Sequence, residues 1–346
     1  MKKIILFFSI ISLCLVGCSN NSSTKEKKDT KSSTKKEETV QKINDSITIS
    51  FAGDCTLGNY AGQAYSQSFN EMYQNQNGDS SYFFRNVAET FKNDDYTVVN
   101  LEGPLTTATS HVIKTFPFSG KLDYAKILTA GNIECVSYAN NHSEDYYDQG
   151  LSDTKKTLDD NGVSYFGYET THVQEIKGIK CGFLGYRSID TMNTDSGKAT
   201  IKAAIDKMKN ESKTDLIFIY FHWGIEREYS ANNDQRELAH FCIDNGVDAV
   251  IGSHPHVVQG TETYNGKEIV YSLGNFCFGG NRNPSDQDSM IYQLTYNFKN
   301  SKEDSHSVNI IPCKISSTTS TNNYQPTIQT GTQGDRILQK IKQYSF

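Results

Sequence analysis

The sequence predicts an α/β fold, and three observations carry that prediction. Apolar, strand-like runs alternate with segments of helical spacing along most of the chain. Three of those helical segments end at Gly131-Asn132, Asn161-Gly162 and Asn245-Gly246, the residue types that close helices. Finally, His, Asp, Glu and Asn residues gather just past the ends of predicted strands, the edge of an open α/β sheet where ligands bind.

In chain order, the N-terminus comes first. Met1-Lys2-Lys3 precedes an apolar run from Ile4 to Val16, and Leu15-Val16-Gly17-Cys18 closes it. The run is too short to span a bilayer and a polar tract follows at once, so residues 1–17 read as a secretory signal. The cysteine at the cleavage point resembles a bacterial lipoprotein signal, with Cys18 as the lipidated first residue of the mature chain; an ordinary cleaved signal is the alternative. Two acyl chains would anchor the protein stably outside the cytoplasm, to the cell membrane. Residues 18–46 are Ser, Thr, Lys, Glu, Asn and Asp with few apolar residues, a composition expected of a disordered tether. The folded domain is expected over 47–346.

Within it, 47–52 reads as a strand, Tyr82 to Lys92 has helical spacing, and 97–101 is a second strand. A short helix over 124–130 leads to a strand at 134–138 and a helix at 151–161. Strands at 164–168 and 179–186, a helix at 201–209, and a strongly apolar strand at 215–221 follow. A helix over 234–245 precedes the strand 247–252, with a further strand at 269–273. Runs at 290–298 and 308–312 read as late antiparallel strands, and the last helix as 336–344.

Composition narrows the function. A net charge of -6 and a pI near 5.8 leave no basic footprint for nucleic acid. Cys55, Cys135, Cys181, Cys242, Cys277 and Cys313 form no C-x-x-C pair and lie mostly in apolar segments, so buried free thiols are expected rather than staples.

The chemistry concentrates at Ser253-His254-Pro255-His256. Two imidazoles at i and i+2, with a proline fixing the backbone between them, can face one side of a loop as metal ligands. Two ordinary polar loop residues would read the same way. Asp54, Glu102, Asn141 with His142, and His222 tip the balance, because each also follows a predicted strand. Carboxylates mixed with imidazoles suit Zn²⁺, Mn²⁺ or Fe²⁺ and disfavour Ca²⁺.

Six blocks, FAGDCTLG (51–58), NLEGPLT (100–106), ANNHSEDYYDQGL (139–151), FHWGIEREY (221–229), GVDAVIGSHPHVVQG (246–260) and YSLGNFCFG (271–279), resemble the signature of the CapA family of bacterial capsule and poly-γ-glutamate synthesis proteins. They follow that family's order and cover essentially the whole domain. The resemblance implies a calcineurin-like metallophosphoesterase fold, two mixed β-sheets sandwiched between helical layers. It also implies a surface role in making, exporting or anchoring an anionic polymer, alongside synthase or export proteins. Carried over, Asp54 stands for the first carboxylate, Glu102 for the bridging acid, Asn141-His142 for the Asn-His pair, His222 for the lone His, and His254 with His256 for the His-x-His. One departure is Thr56, which stands where the enzymes place an imidazole, so one or two ions remain open.

If such a site is catalytic, Asp54 helps hold the ion that activates water and His142 is the candidate acid for the leaving group. Glu226, Trp223, Asn275 and Lys114 are candidates for binding substrate, as a carboxylate beside His222, a pocket wall, a floor and an anion contact respectively. Asp145 and Asp148 read as caps of the following helix. Two functions stay open: a metal-dependent hydrolase-like enzyme, or a non-catalytic polymer-binding component of a synthesis or export complex. A secreted nucleotidase fits the blocks less well.

Overall fold

The strand Ser46–Thr56 is buried along almost all its length, and a strand covered on both faces belongs inside a sheet with a layer on either side. The computed structural model describes residues 43–188 and 192–346. The proposed signal segment 1–17, Cys18 and nearly all of the tether lie outside the described residues.

Ser46–Thr56 is central in an eight-stranded mixed sheet that also holds Tyr96–Leu101, Cys135–Ser137 and Ser164–Phe166 on one side and the long hairpin Asp288–Lys299/Lys302–Lys314 on the other. Its last residues pair in parallel with Asn275–Phe278, matching Asp54 to Asn275. A six-stranded sheet is built around Ala249–Ser253, Leu216–Trp223 and Ile179–Ser188, which run parallel. The two sheets face each other across a core that includes Phe51, Val98, Phe183, Phe218 and Ile251, where Phe51 and Phe218 rings lie 5.6 Å apart. Helices cover the outer faces. Ile127, Leu128 and Leu158 pack on the first sheet and Ile201, Ile205 and Leu238 on the second. The molecule is thus a mixed α/β protein in helix–sheet–sheet–helix layers.

Several elements differ from expectation. The helical spacing at Tyr82 to Lys92 resolves into a single 3-10 turn, Ser80–Tyr82, and the short helix Ala88–Lys92. Asp79 caps the turn while Phe83, Phe84 and Val87 are all buried, so tertiary packing overrides the helical period. A capped helix, Phe69–Asn75, was not expected, nor were the strands His172–Ile176 and Thr261–Tyr264 at the two edges of the six-stranded sheet. Asp54 and His222 lie within the last residues of their strands rather than beyond them. All six described cysteines are free and buried.

Away from the strand ends that matter below, Asp94 and Glu134 share the hydroxyl and amide of Thr97. Burial lifts the Glu134 carboxyl to about 7 from a usual 4.5, and that of Asp94 to about 6 from 3.8. Groups raised in this direction bind protons more tightly when folded, so stability is greatest below the unfolded values and falls as pH rises through about 4 to 7. Urea melts of Glu134→Gln, which keeps an acceptor for the Thr97 N–H, should flatten the loss between pH 5 and 8 by about 1 kcal/mol after solvent screening. An unchanged pH slope would contradict this origin.

Candidate metal centre

The C-terminal edge of the two sheets brings the chemistry together. Parallel pairing sets Ser253 beside His222, and the Ser253 hydroxyl lies 3.1 Å from His222 Nδ1. Just past that strand, His254 and His256 hold left-handed backbone with φ of 98° and 57°. Such angles strain non-glycine residues and cluster at functional sites. The two rings are 5.8 Å apart.

Asp54, Glu102 and His222 are wholly buried. Asp54 Oδ1 accepts from Asn100 Nδ2 at 2.8 Å, and its Oδ2 lies 3.2 Å from His256 Nδ1. His222 Nε2 meets Asn141 Oδ1 at 2.7 Å and His254 Nδ1 at 3.1 Å. Glu102 stands between these groups, with Oε1 3.5 Å from His222 Nε2 and 3.8 Å from His256 Nε2. Thr56, at the position where an imidazole is missing, donates its hydroxyl to Glu102 Oε2 at 3.3 Å.

Protonation follows from this crowding. Burial, reinforced by His254 and His256, holds His222 well below the usual histidine range. Burial and His256 push His254 down to about 3. Both imidazoles are therefore neutral, the form that offers a lone pair to a metal. Burial alone would lower His256 too, but Glu102 and Asp54 reverse the sign and lift it to about 10. Burial raises Glu102 to about 8 against the pull of His256.

Glu102 Oε1 also tests whether the donor set suits a cation. It is buried and has no hydrogen-bond partner among the described residues, an arrangement that costs free energy unless something positive satisfies it. Neutral imidazoles, an amide oxygen and carboxylates converge on it. Asp54, Glu102 and His256 form one group with metal-holding geometry, and Glu226, His254 and His256 another. Such a set of donors can hold a metal ion.

His142 lies beside this cluster. Its Nδ1 is 2.8 Å from Asp145 Oδ2 and 3.0 Å from Lys114 Nζ, leaving Nε2 without a partner among the described residues. Burial lowers its pKa, opposed by Asp145. Asp145 pairs with Lys114 and accepts the Phe118 N–H at 2.6 Å. It therefore holds His142 and Lys114, whereas the helix Tyr147–Asp160 starts without a side-chain cap and has Asp148 in its first turn.

Two expected substrate contacts are corrected. Trp223 is 1% exposed, stacks on Phe221 at 4.5 Å and donates to the Tyr271 carbonyl, because its strand position faces the outer helical layer rather than the centre. Lys114 spends its charge on Asp145 and donates to the Asn141 carbonyl, with its Nζ 3.0 Å from His142 Nδ1, so it orders the loop rather than greeting an anion. Glu226 sits beside His254 and His256 rather than serving His222. Asn275 lies at the centre, 2.9 Å from His256 Nδ1.

Sequence reasoning missed Asn100 and Asn140. Asn140 Nδ2 donates to Asn100 Oδ1 at 3.1 Å, and Asn140 Oδ1 accepts from the His142 N–H at 3.1 Å. For Asn100, a polar amide inside the apolar strand Tyr96–Leu101 was the available signal; Asn140 lies in the loop after Cys135–Ser137, directly before the Asn141-His142 pair.

The region 48–280 matches the family model "Bacterial capsule synthesis protein PGA_cap", a span that contains every residue of the centre. The chain is 31% identical over 252 residues to a "PGA biosynthesis protein CapA" of Bacillus subtilis (strain 168), covering 68% of this chain and 64% of that one. It is 28% identical over 260 residues to a "Capsule biosynthesis protein CapA" of Bacillus anthracis, covering 68% and 60%. The chain thus spans less than two thirds of the length of these relatives. A "Probable polyglutamine synthesis accessory protein" of Mycobacterium tuberculosis (strain ATCC 25618 / H37Rv) is 25% identical over 52% of this chain and 55% of its own. A crystal structure of a hypothetical protein from Thermus thermophilus superposes with a TM-score of 0.47 at 14% identity, covering 77% of this chain and 99% of that one, too loose a likeness to define a fold.

Proposed function

The chain belongs to the bacterial capsule synthesis protein family, and from that premise we propose that it is a surface lipoprotein acting on an anionic polymer such as poly-γ-glutamate through a divalent-metal centre. The fold is then of the calcineurin-like metallophosphoesterase kind, with the chain anchored outside the cytoplasm through Cys18. The observation that supports a metal centre most is the buried Glu102 Oε1, without a hydrogen bond among the described residues and facing the neutral His222 imidazole.

Asp54, Glu102 and His256 would hold one ion, and Glu102, Asn141, His222 and His254 a second. A divalent ion in that setting supplies Lewis-acid polarisation of a carbonyl or phosphoryl oxygen. The protein's own part is positioning and proton transfer. The Asp145 carboxylate fixes the His142 ring by accepting from Nδ1–H, which leaves Nε2 as the nitrogen that would hand a proton to a leaving group from the protonated ring. Asn100 and Asn140 form a hydrogen-bonded strut from Asp54 to the backbone of His142, so the carboxylate and the proton donor keep one spacing.

The test joins elemental analysis of the purified protein to a chain-length assay on poly-γ-glutamate and to hydrolysis of a generic phosphodiester. His142→Ala should keep its metal and fold yet lose about 100-fold or more in turnover. Equal turnover in this variant would remove His142 from the chemistry. Thr56 in place of an imidazole favours a second reading, a centre that grips polymer carboxylates through a cation without cleaving them; bound metal with no turnover in the wild type would select it.

A further inference from the structure

A cavity of about 400 Å³ opens directly off the centre, with His142, His256 and Asn275 at its inner end. That volume lies in the range of ligand sites. One wall is aromatic. Phe118 touches the His142 ring at 4.3 Å and Phe278 the His256 ring at 5.2 Å, and Tyr60 and Phe116 continue the wall outward, with Phe116 left 49% exposed. Exposed Arg227 and Arg282 also line it, and neither guanidinium has a hydrogen bond or ion pair among the described residues; of the two carboxylates on the same lining, Asp286 is paired with Lys340 and Glu226 sits at the inner end beside His256.

Both arginines stand on backbone pinned from below. The Arg227 N–H donates to the Pro255 carbonyl at 2.8 Å, and buried Gln259 donates to the Glu228 carbonyl at 2.8 Å. The Arg282 carbonyl accepts from Asn322 N at 2.9 Å, while the buried Asn322 side chain donates to the Phe278 and Asn281 carbonyls. The two arginine side chains thus leave the backbone at fixed points along the cavity.

We propose that this cavity is the chain-binding subsite of the centre, taking an extended acidic polypeptide segment. Its methylene and amide stem packs on Tyr60, Phe116, Phe118 and Phe278, and its carboxylates pair with Arg227 and Arg282. Ring geometry favours this occupant over a nucleotide. A base sandwiched between two rings needs parallel faces, but Tyr60 meets Phe116 at 75° and Phe118 at 64°, so these rings form no parallel slot. Aliphatic stems have no such requirement, and free guanidinium groups match carboxylates bidentately. The inference rests on the polymer-directed reading above and adds which residues grip the chain.

The test measures binding of a γ-linked pentaglutamate and of AMP to the full chain at low salt, with and without EDTA, alongside metal content and melting temperature. Arg227→Glu with Arg282→Glu should weaken pentaglutamate at least about tenfold, and Phe116→Ala about threefold, leaving metal content and melting temperature as in the wild type. No pentaglutamate binding by the wild type, an unchanged Kd in the double variant, or AMP binding more tightly than the peptide would each overturn the subsite. Arginine-dependent peptide binding by a protein that retains no divalent ion would instead sink the metal-centre reading and leave the subsite standing.

Discussion

Asp54→Ala should leave the purified protein without bound divalent metal, and should destabilise the metal-free form by about 3–5 kcal/mol. The second effect follows from what the carboxylate touches. Asp54 is wholly buried, accepts from Asn100 Nδ2 at 2.8 Å and faces His256 Nδ1 at 3.2 Å. An alanine leaves a buried amide donor short of an acceptor and removes one of the two carboxylates that hold a charged His256. The first effect follows from the loss of a ligand that no neighbour replaces. EDTA should therefore lower the wild-type melting temperature, since an ion bound only to the folded state stabilises by about 4 kcal/mol at 1,000 times its Kd. The variant should not respond. Asp54→Asn keeps the shape and an acceptor, so it should lose the metal with a smaller stability cost. Metal retained at wild-type stoichiometry in both variants would remove Asp54 from the centre.

The second large effect lies one residue earlier. Gly53→Ala would place a Cβ 1.8 Å from the Gly274 carbonyl oxygen and 2.9 Å from its carbon, both backbone atoms of the neighbouring segment. Neither can swing aside as a flexible side chain would. The same carbonyl accepts the Asp54 N–H at 3.0 Å, which locks Asp54 beside Asn275 and so beside His256. Thermal or urea unfolding should show a loss of at least about 3 kcal/mol, or no soluble protein at all. Gly266→Ala is the matched control: no atom lies within 4 Å of its added Cβ, so only the positive φ of 73° is penalised, by about 1 kcal/mol. A Gly53→Ala melt no worse than that control would show that the strand contact yields easily.

Much of the site was legible because its residues sit where local rules place them. His254 and His256 flank a proline after an apolar strand, and Glu102, Asn141 and His142 follow strands whose period is plain. The misplaced residues share one cause, the direction a side chain takes. Trp223 follows His222 by one position, and in a strand that step reverses the face, which sends one ring to the centre and the next to the outer core. Lys114 looks free in a loop, and only folding brings Asp145 to it. Arg227 and Arg282 were unremarkable because their meaning depends on the aromatic wall between them, drawn from segments near residues 60, 117 and 278.

Sequence alone was sufficient for the α/β alternation, the family and the choice of candidate ligands, since these depend on periodicity, residue type and order along one chain. Tertiary structure decided which atoms face each other: that Glu102 Oε1 stands without a hydrogen bond among the described residues between His222 and His256, that Asn100 and Asn140 link Asp54 to His142, and that a cavity opens beside His142. The reason is distance along the chain. Asp54 meets Asn275 through parallel strand pairing and His256 through its ring, both some 200 residues away, and no local preference encodes a contact that exists only once both sheets have closed on their shared core.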